Sequence, residues 1–289
     1  MTSPFLVLVL GCVTENTFVE QPFESIAVVS GDFDQIEQNL NRLEVAYSTY
    51  EGFIEGPSYD DSVDPDLIAL KSEALFTAED EDGNPEIFIH DAVFVNSGAR
   101  GFGAYQYQGL EDDDQFVTDE QVIELLRDYV ERGRTVMVSD WAYDLVEAAW
   151  PDMIDFYGDD EVLDAAQVGV AGRVAADVVG LDLVESIGDQ MSVELNYSHW
   201  ALIEDVHSDV VVHVQGDVTY RKSAEEGEDV AAGVPLLVSF PMGSGQVVFS
   251  SFHWNAQTPG ASDAAMTVII PGLDPGSADA AAEETAADE

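Results

Sequence analysis

Arg132-Gly-Arg-Thr-Val-Met-Val-Ser-Asp140 is the stretch on which the reading of the fold turns. Thr135 to Ser139 is a short apolar, β-branched run, the pattern of a buried strand. Ahead of it, Thr118-Asp-Glu-Gln121 is a capping-box pattern that opens a helix. That helix is predicted to bury Val122, Leu125, Leu126, Tyr129 and Val130, and Gly133 stops it. After the strand, Ser139 or Asp140 can cap a short helix through Leu145 and Val146 to Trp150, ended by Pro151.

The same alternation continues toward the N-terminus. Ala92 to Asn96 reads as a strand ending in Ser97-Gly98, and Ser25 to Ser30 as another, followed by Gly31-Asp32. Ile36, Leu40 and Leu43 give helical spacing over Asp34–Val45, with Asp32 or Asp34 as N-cap. An extended piece is predicted near Tyr47–Tyr50 and a helix near Asp66–Phe76. Residues 24–150 therefore alternate strand and helix, with crossovers long enough for a parallel sheet.

Beyond residue 150 the pattern turns β-rich. Val168–Ala175, Val178–Val184, Val193–Tyr197, Val210–Val214 and Val218–Tyr220 read as short strands, and residues 223–233 as an acidic loop. Val234–Phe240 and Gln246–Phe252 form a strand pair, with Pro241-Met-Gly-Ser-Gly245 as the hairpin connection. No fixed-period repeat is present.

Composition narrows the class. The 289 residues carry 58 Asp+Glu against 9 Lys+Arg, a formal charge of −49. A hydrophobic content of 46% still supplies a core, which argues against disorder of the whole chain. So negative a surface, without a Lys/Arg cluster, excludes nucleic acid and basic-patch membrane binding. Phe5 to Leu10 is too short for a transmembrane helix. It has the length of a signal-peptide core and ends in Val9-Leu10-Gly11-Cys12, which resembles the bacterial lipobox. That resemblance implies an exported protein of the cell envelope, lipidated at Cys12, with the lipid as its membrane contact. The expected organisation is residues 1–12 as signal, 13–24 as tether, 25–273 as one domain and 274–289 as an acidic disordered tail.

Val93-Phe-Val-Asn96, the amphipathic helix, Arg132 to Asp140, and the closing hairpin Gly243-Ser-Gly-Gln-Val-Val-Phe-Ser-Ser-Phe-His253 together resemble the class I glutamine-amidotransferase-like family. The resemblance implies a flavodoxin-like three-layer α/β sandwich, with a mostly parallel sheet and a β-rich second half closing in an antiparallel hairpin. It also implies a crevice at the carboxyl ends of the strands. Active members of the family carry a cysteine nucleophile on a sharp strand-to-helix turn, and a His followed two positions later by Glu. Here that turn is Ser139-Asp140-Trp141, His253 matches the His, and Asn255 stands where Glu would be. With no thiolate to attack an amide, glutamine hydrolysis is not expected. The expectation is a non-catalytic binding or structural module for a small molecule or protein, without a cofactor. The alternative is a divergent hydrolase using Asp140 or Ser139 with His253.

Several residues are candidates for ligand contact in that crevice: Asn96, Ser97, Arg100, Trp141 and Trp254. Gly98-Ala-Arg-Gly-Phe-Gly103 follows a strand but lacks the ending of a phosphate loop. Phe102, Tyr105, Tyr107 and Trp200 can serve the same surface or the core. Asp140 as a helix cap and His253 bonded to loop backbone is the purely structural reading. No metal is expected. His199, His207 and His213, with Glu204 and Asp205, match no short zinc spacing, and Glu79 to Glu86 fails the EF-hand pattern at Ala78 and Ile89. Glu111-Asp-Asp-Asp114 reads as a solvated turn.

Overall fold

The computed structural model describes residues 22–52, 70–79, 83–99, 119–158, 163, 165, 169–197, 200–223, 227–270, 272–273 and 275. Cys12, Arg100, Phe102, Tyr105, Tyr107, the Glu111–Asp114 turn, Thr118, His199 and nearly all of the acidic tail lie outside them, as do residues 13–21.

A ten-stranded mixed sheet organises the chain, in the order β3-β2-β1-β4-β5-β12-β11-β10-β7-β8. Its parallel part comprises β1 (Ile26–Val29), β2 (Ser48–Glu51), β3 (Leu70–Lys71), β4 (Ala92–Val95), β5 (Thr135–Ser139) and β12 (Gly245–Ser250). Without the two-residue edge strand β3, the order β2-β1-β4-β5-β12 is the 2-1-3-4-5 order of flavodoxin-like sheets. The rest is antiparallel: β11 (Gly227–Met242) against β12, then β10 (Val211–Ser223), β7 (Gly172–Val178) and β8 (Gln190–Leu195). A separate pair joins β6 (Ile154–Phe156) to β9 (Ile203–Val206).

Strands covered on both faces need apolar residues at odd and even positions alike, and the central ones have them. Ala27, Val29, Val93, Val95, Val136, Val138, Val247 and Phe249 point to one layer. Helices α2 (Ser72–Thr77), α3 (Glu120–Glu131) and α4 (Asp144–Ala149) supply Leu75, Leu126, Tyr129, Leu145 and Val146 to that layer. Ile26, Val28, Phe94, Met137 and Val248 point to the other layer. There α1 (Glu37–Arg42), α5 (Leu181–Ile187) and α6 (Pro259–Ile269) supply Leu40, Leu183, Met266 and Ile269. Each such fully buried aliphatic side chain contributes about 1.5–3 kcal/mol of transfer free energy.

Several expected elements differ. Asp34 does not cap α1; the N-cap position is Ile36, without a side-chain cap. Within the helix expected over Asp66–Phe76, Leu70–Lys71 is the strand β3 and α2 begins at Ser72, while residues 66–69 lie outside those described. Helix α3 starts from Asp119, whose carboxylate accepts from Gln121 N–H, and it buries Ile123, whereas Leu125 is only partly buried. Val178–Val184 is not a strand. It contains the turn into α5, because Leu183, Val184 and Ile187 face the core at helical spacing while Leu181 is exposed. The acidic segment from Gly227 is the start of β11, paired with β10 as far as Ser223. The two short β-runs within residues 210–220 are one long strand, β10.

Candidate functional site

Register places the site. Val29 pairs with Val95, Val95 with Val138, and Val138 with Phe249, so four parallel strands end flush. Ser139 and Ser250 are then opposite each other, and the chain beyond each strand enters one shared crevice. The strand order reverses between β1 and β4, which makes this edge the topological switch point.

Asp140 stands immediately past β5, in a backbone conformation with φ +42°. That left-handed region is uncommon for a residue with a side chain, and holding it costs on the order of 1–3 kcal/mol. The chain makes a 3-10 turn there, Asp140–Ala142, before α4. The side chain does not cap α4, whose N-cap is Tyr143. It points inward, is 1% exposed, and its Oδ1 accepts a 2.7 Å hydrogen bond from Ala201 N–H. Its Oδ2 lies 2.9 Å from His253 Nε2. The ring N–H is off the line joining the two atoms, so this is a close ion-pair contact rather than an aligned hydrogen bond.

His253 is 2% exposed, and its Nδ1 lies 2.9 Å from Asn196 Oδ1. The ring of Tyr197 meets it edge-on at 5.1 Å. With Asn196 Oδ1 accepting from Nδ1–H, a single proton remains between His253 Nε2 and Asp140 Oδ2. The two groups are pulled in ways that compete for it. Burial raises the Asp140 carboxyl, against the lowering effects of His253 and Ala201 N–H. Burial pushes His253 down, but Asp140 and the more distant Asp34 outweigh it and leave the imidazole raised. We take the proton as residing on His253, because Ala201 N–H favours the ionised carboxylate.

Asp34 completes the arrangement from β1. It is fully buried, and its oxygens accept from Gln35, Trp254 and Asn255 N–H groups. Asn255 therefore meets Asp34 through its backbone, and the residue that orients His253 is Asn196. Nothing local in the sequence marks Asn196, Ala201 or Asp34 for this task, since their role depends on three separate connections converging.

The serines are linked in another direction. Ser139 Oγ accepts from Ser97 N–H at 2.9 Å, and Ser97 Oγ accepts from Trp141 N–H at 3.2 Å. Ser139 is thereby a clasp between β4 and β5, and its hydroxyl is directed to Ser97. Asn96 is buried, accepts from Ile36 N–H and donates to Glu37 Oε2. It ties the start of α1 to the end of β4, and neither Asp32 nor Asp34 caps that helix. Trp254 is wholly buried against Phe252, so it is core rather than ligand surface. Trp141 is partly buried, packed beside Tyr143. Trp200 is buried over Gly169, where an added Cβ would fall inside the indole.

Space beside the pair is small among the described residues. Asp140, Asn196, Tyr197, Trp200, Ser251 and His253 border a cavity of about 10 Å³, room for one water at most. The switch point itself is acidic: Asp32 and Glu37 are both raised, chiefly by burial. Among the described residues no three His, Cys, Asp or Glu side chains converge as a metal site. His207 contacts Asp209, and His213 meets Ser239 Oγ at 2.8 Å.

Sheet order, layering and a crevice at the strand ends make this an α/β protein of the flavodoxin-like class. No protein family and no curated protein matches the sequence. Among solved structures it is similar to a cytoplasmic protein of Salmonella typhimurium, at 11% identity over 84% of this chain and 97% of that one, with a TM-score of 0.46. A glutamine amidotransferase of Thermotoga maritima matches at 9% identity over 80% and 75% of the two chains, with a TM-score of 0.39. A GH42 β-galactosidase of G. stearothermophilus matches at 11% identity over 84% of this chain and 29% of that one, with a TM-score of 0.40.

Proposed function

We propose that the protein is a non-catalytic binding or structural module on a glutamine-amidotransferase-like scaffold, exported and lipid-anchored through Cys12. One observation carries the non-catalytic reading. At the strand-to-helix turn where the resembling family places a reactive cysteine, this chain has Asp140, buried to 1% exposure and held by His253 and Ala201 N–H. A nucleophile must reach substrate, and among the described residues the cavity beside Asp140 is only about 10 Å³. The pair then acts as a buried clasp joining the ends of β5 and β12 to the loop before β9.

Incubated with glutamine, the full chain should release no ammonia above the uncatalysed background, and Asp140→Asn should leave that result unchanged. Turnover that disappears in both Asp140→Asn and His253→Gln would replace this reading with the second one, a divergent hydrolase. That reading is favoured by one feature, the positive φ of Asp140, since such strain gathers at reactive sites.

Anchoring is tested separately. Expressed with its export machinery in a bacterium, the wild-type chain should fractionate with membranes and carry the mass of a lipid on Cys12. The Cys12→Ser variant should move to the soluble fraction. Unchanged fractionation of the variant, with no lipid mass on the wild type, would remove the anchor from the proposal.

A further inference from the structure

The other end of the sheet holds a second concavity, independent of the crevice. It opens at the amino ends of β4 and β5, where the 3-10 turn Glu86–Ile89 and the C-terminal half of α3 approach each other. Phe88, Ile89, Leu125, Asp128, Arg132 and Arg134 line a groove of about 420 Å³, within the size range of small-ligand sites. Its lining is mixed, with Phe88, Ile89 and Leu125 as the apolar part. Phe88 and Leu125 are partly buried, whereas Ile89 is 55% exposed.

The cations set this groove apart. The whole chain has only nine Lys and Arg against 58 acidic residues, yet among the described residues lining this groove two are arginines and one is an aspartate. Arg132 forms an ion pair with Asp128 at 2.6 Å, and its guanidinium sits 4.9 Å over the Phe88 ring. Arg134 is held differently. Its Nε donates to His90 O and its Nη2 to Phe88 O, each at 3.0 Å, and no carboxylate among the described residues pairs with it. Tyr129 OH donates to the same His90 carbonyl, and the Arg134 guanidinium lies 5.7 Å from the Tyr129 ring and 5.6 Å from Phe88. Neutral carbonyls thus fix the guanidinium in place without cancelling its charge, while Nη1 keeps its donors free of any partner among the described residues. A positioned, unneutralised guanidinium beside an aromatic face is the equipment for binding a planar anion.

We propose that this groove is a binding site for a monocarboxylate with an apolar or aromatic body. The carboxylate meets Arg134 Nη1 and the outer edge of Arg132, and the body lies on Ile89, Leu125 and Phe88. A single negative charge fits better than a phosphate dianion, because the field of a chain at −49 repels the second charge without a further cation to offset it.

Titration of the full-length protein, labelled with ¹⁵N, with 3-phenylpropionate tests this directly. Saturable shifts confined to the amides of residues 86–89 and 125–134 are expected, with dissociation constants in the roughly millimolar range or tighter. The neutral 3-phenylpropionamide should bind at least about tenfold more weakly, the loss of one charge-assisted hydrogen bond, and inorganic phosphate should bind at least about tenfold more weakly because its second charge is repelled and it has no apolar body. Arg134→Gln should weaken phenylpropionate binding by about the same factor. Because Arg134 also ties down two carbonyls, Ile89→Glu is the second variant; it alters an exposed residue and should abolish binding with the spectrum otherwise folded. Equal affinity for the amide, equal or better affinity for phosphate, shifts centred elsewhere, or unimpaired binding by folded Ile89→Glu would each overturn the proposal.

Discussion

Replacing Asp140 with alanine should lower the free energy of unfolding by about 3–5 kcal/mol, measured by urea denaturation. Three consequences add up. The imidazolium of His253 stays buried with no counter-charge. Ala201 N–H loses its acceptor. Alanine must also adopt a φ of +42°, which Asp tolerates better. Asp140→Asn keeps an acceptor for Ala201 N–H and suits the left-handed turn, so it should cost clearly less. An alanine variant within about 1 kcal/mol of wild type would mean that the pair contributes little to stability.

The pH dependence follows from the directions of the two shifts. His253 is raised above its ordinary value of 6.5. The stabilisation from its charged form is therefore complete below 6.5 and fades as the pH climbs through the raised value. Asp140 is also raised, so ionising it inside the fold costs stability from its ordinary 3.8 upward. The advantage of wild type over His253→Gln should accordingly be larger near about pH 6 than near about pH 9. A constant difference across that window would show that no proton is lost from the pair.

Gly31→Ala is expected to be the other severe substitution. A Cβ there would lie 2.3 Å from Ser97 O and 2.9 Å from Asn96 O, both backbone atoms. Neither can turn aside as a side-chain tip could. Relief requires the ends of β1 and β4 to part, which pulls on Asn96, its bond to Ile36 N–H, and the Ser97–Ser139 clasp. Overpacking of this kind costs about 1–3 kcal/mol and sometimes more. Gly172→Ala is the matched control, since its Cβ would meet nothing within 4 Å. Equal thermal midpoints for the two variants would contradict the close approach.

The parallel half was legible because its signals are local and strong. Ile26–Val29, Ala92–Val95, Thr135–Ser139 and Gly245–Ser250 are short, largely apolar runs flanked by polar residues. The failures have separate causes. In Val178–Val184, Leu181-Asp-Leu183 mimics strand alternation, although of the two leucines Leu183 is buried and Leu181 is exposed. Gly227–Gly233 shows no alternation because most of its side chains are exposed on both faces. Helix α6, from Pro259, gives no strong apolar stripe, being built largely of small residues around Met266 and Ile269. In the crevice, the family resemblance drew attention to Asp140 and His253. Asn196, Asp34 and Ala201 come from loops far away in sequence, and such convergence leaves no periodic trace.

The pairing of β5 with β12 bears on how the chain folds. Thr135–Ser139 waits for a neighbour that is not synthesised until Gly245–Ser250. Until then β5 presents a bare, apolar edge, and closing so long a loop is slow. The interval is one of vulnerability: another unfinished copy offers the same edge to add to. A chain truncated before Gly245 should therefore aggregate rather than persist as a smaller soluble domain, and its high negative charge would be the chief force keeping such copies apart.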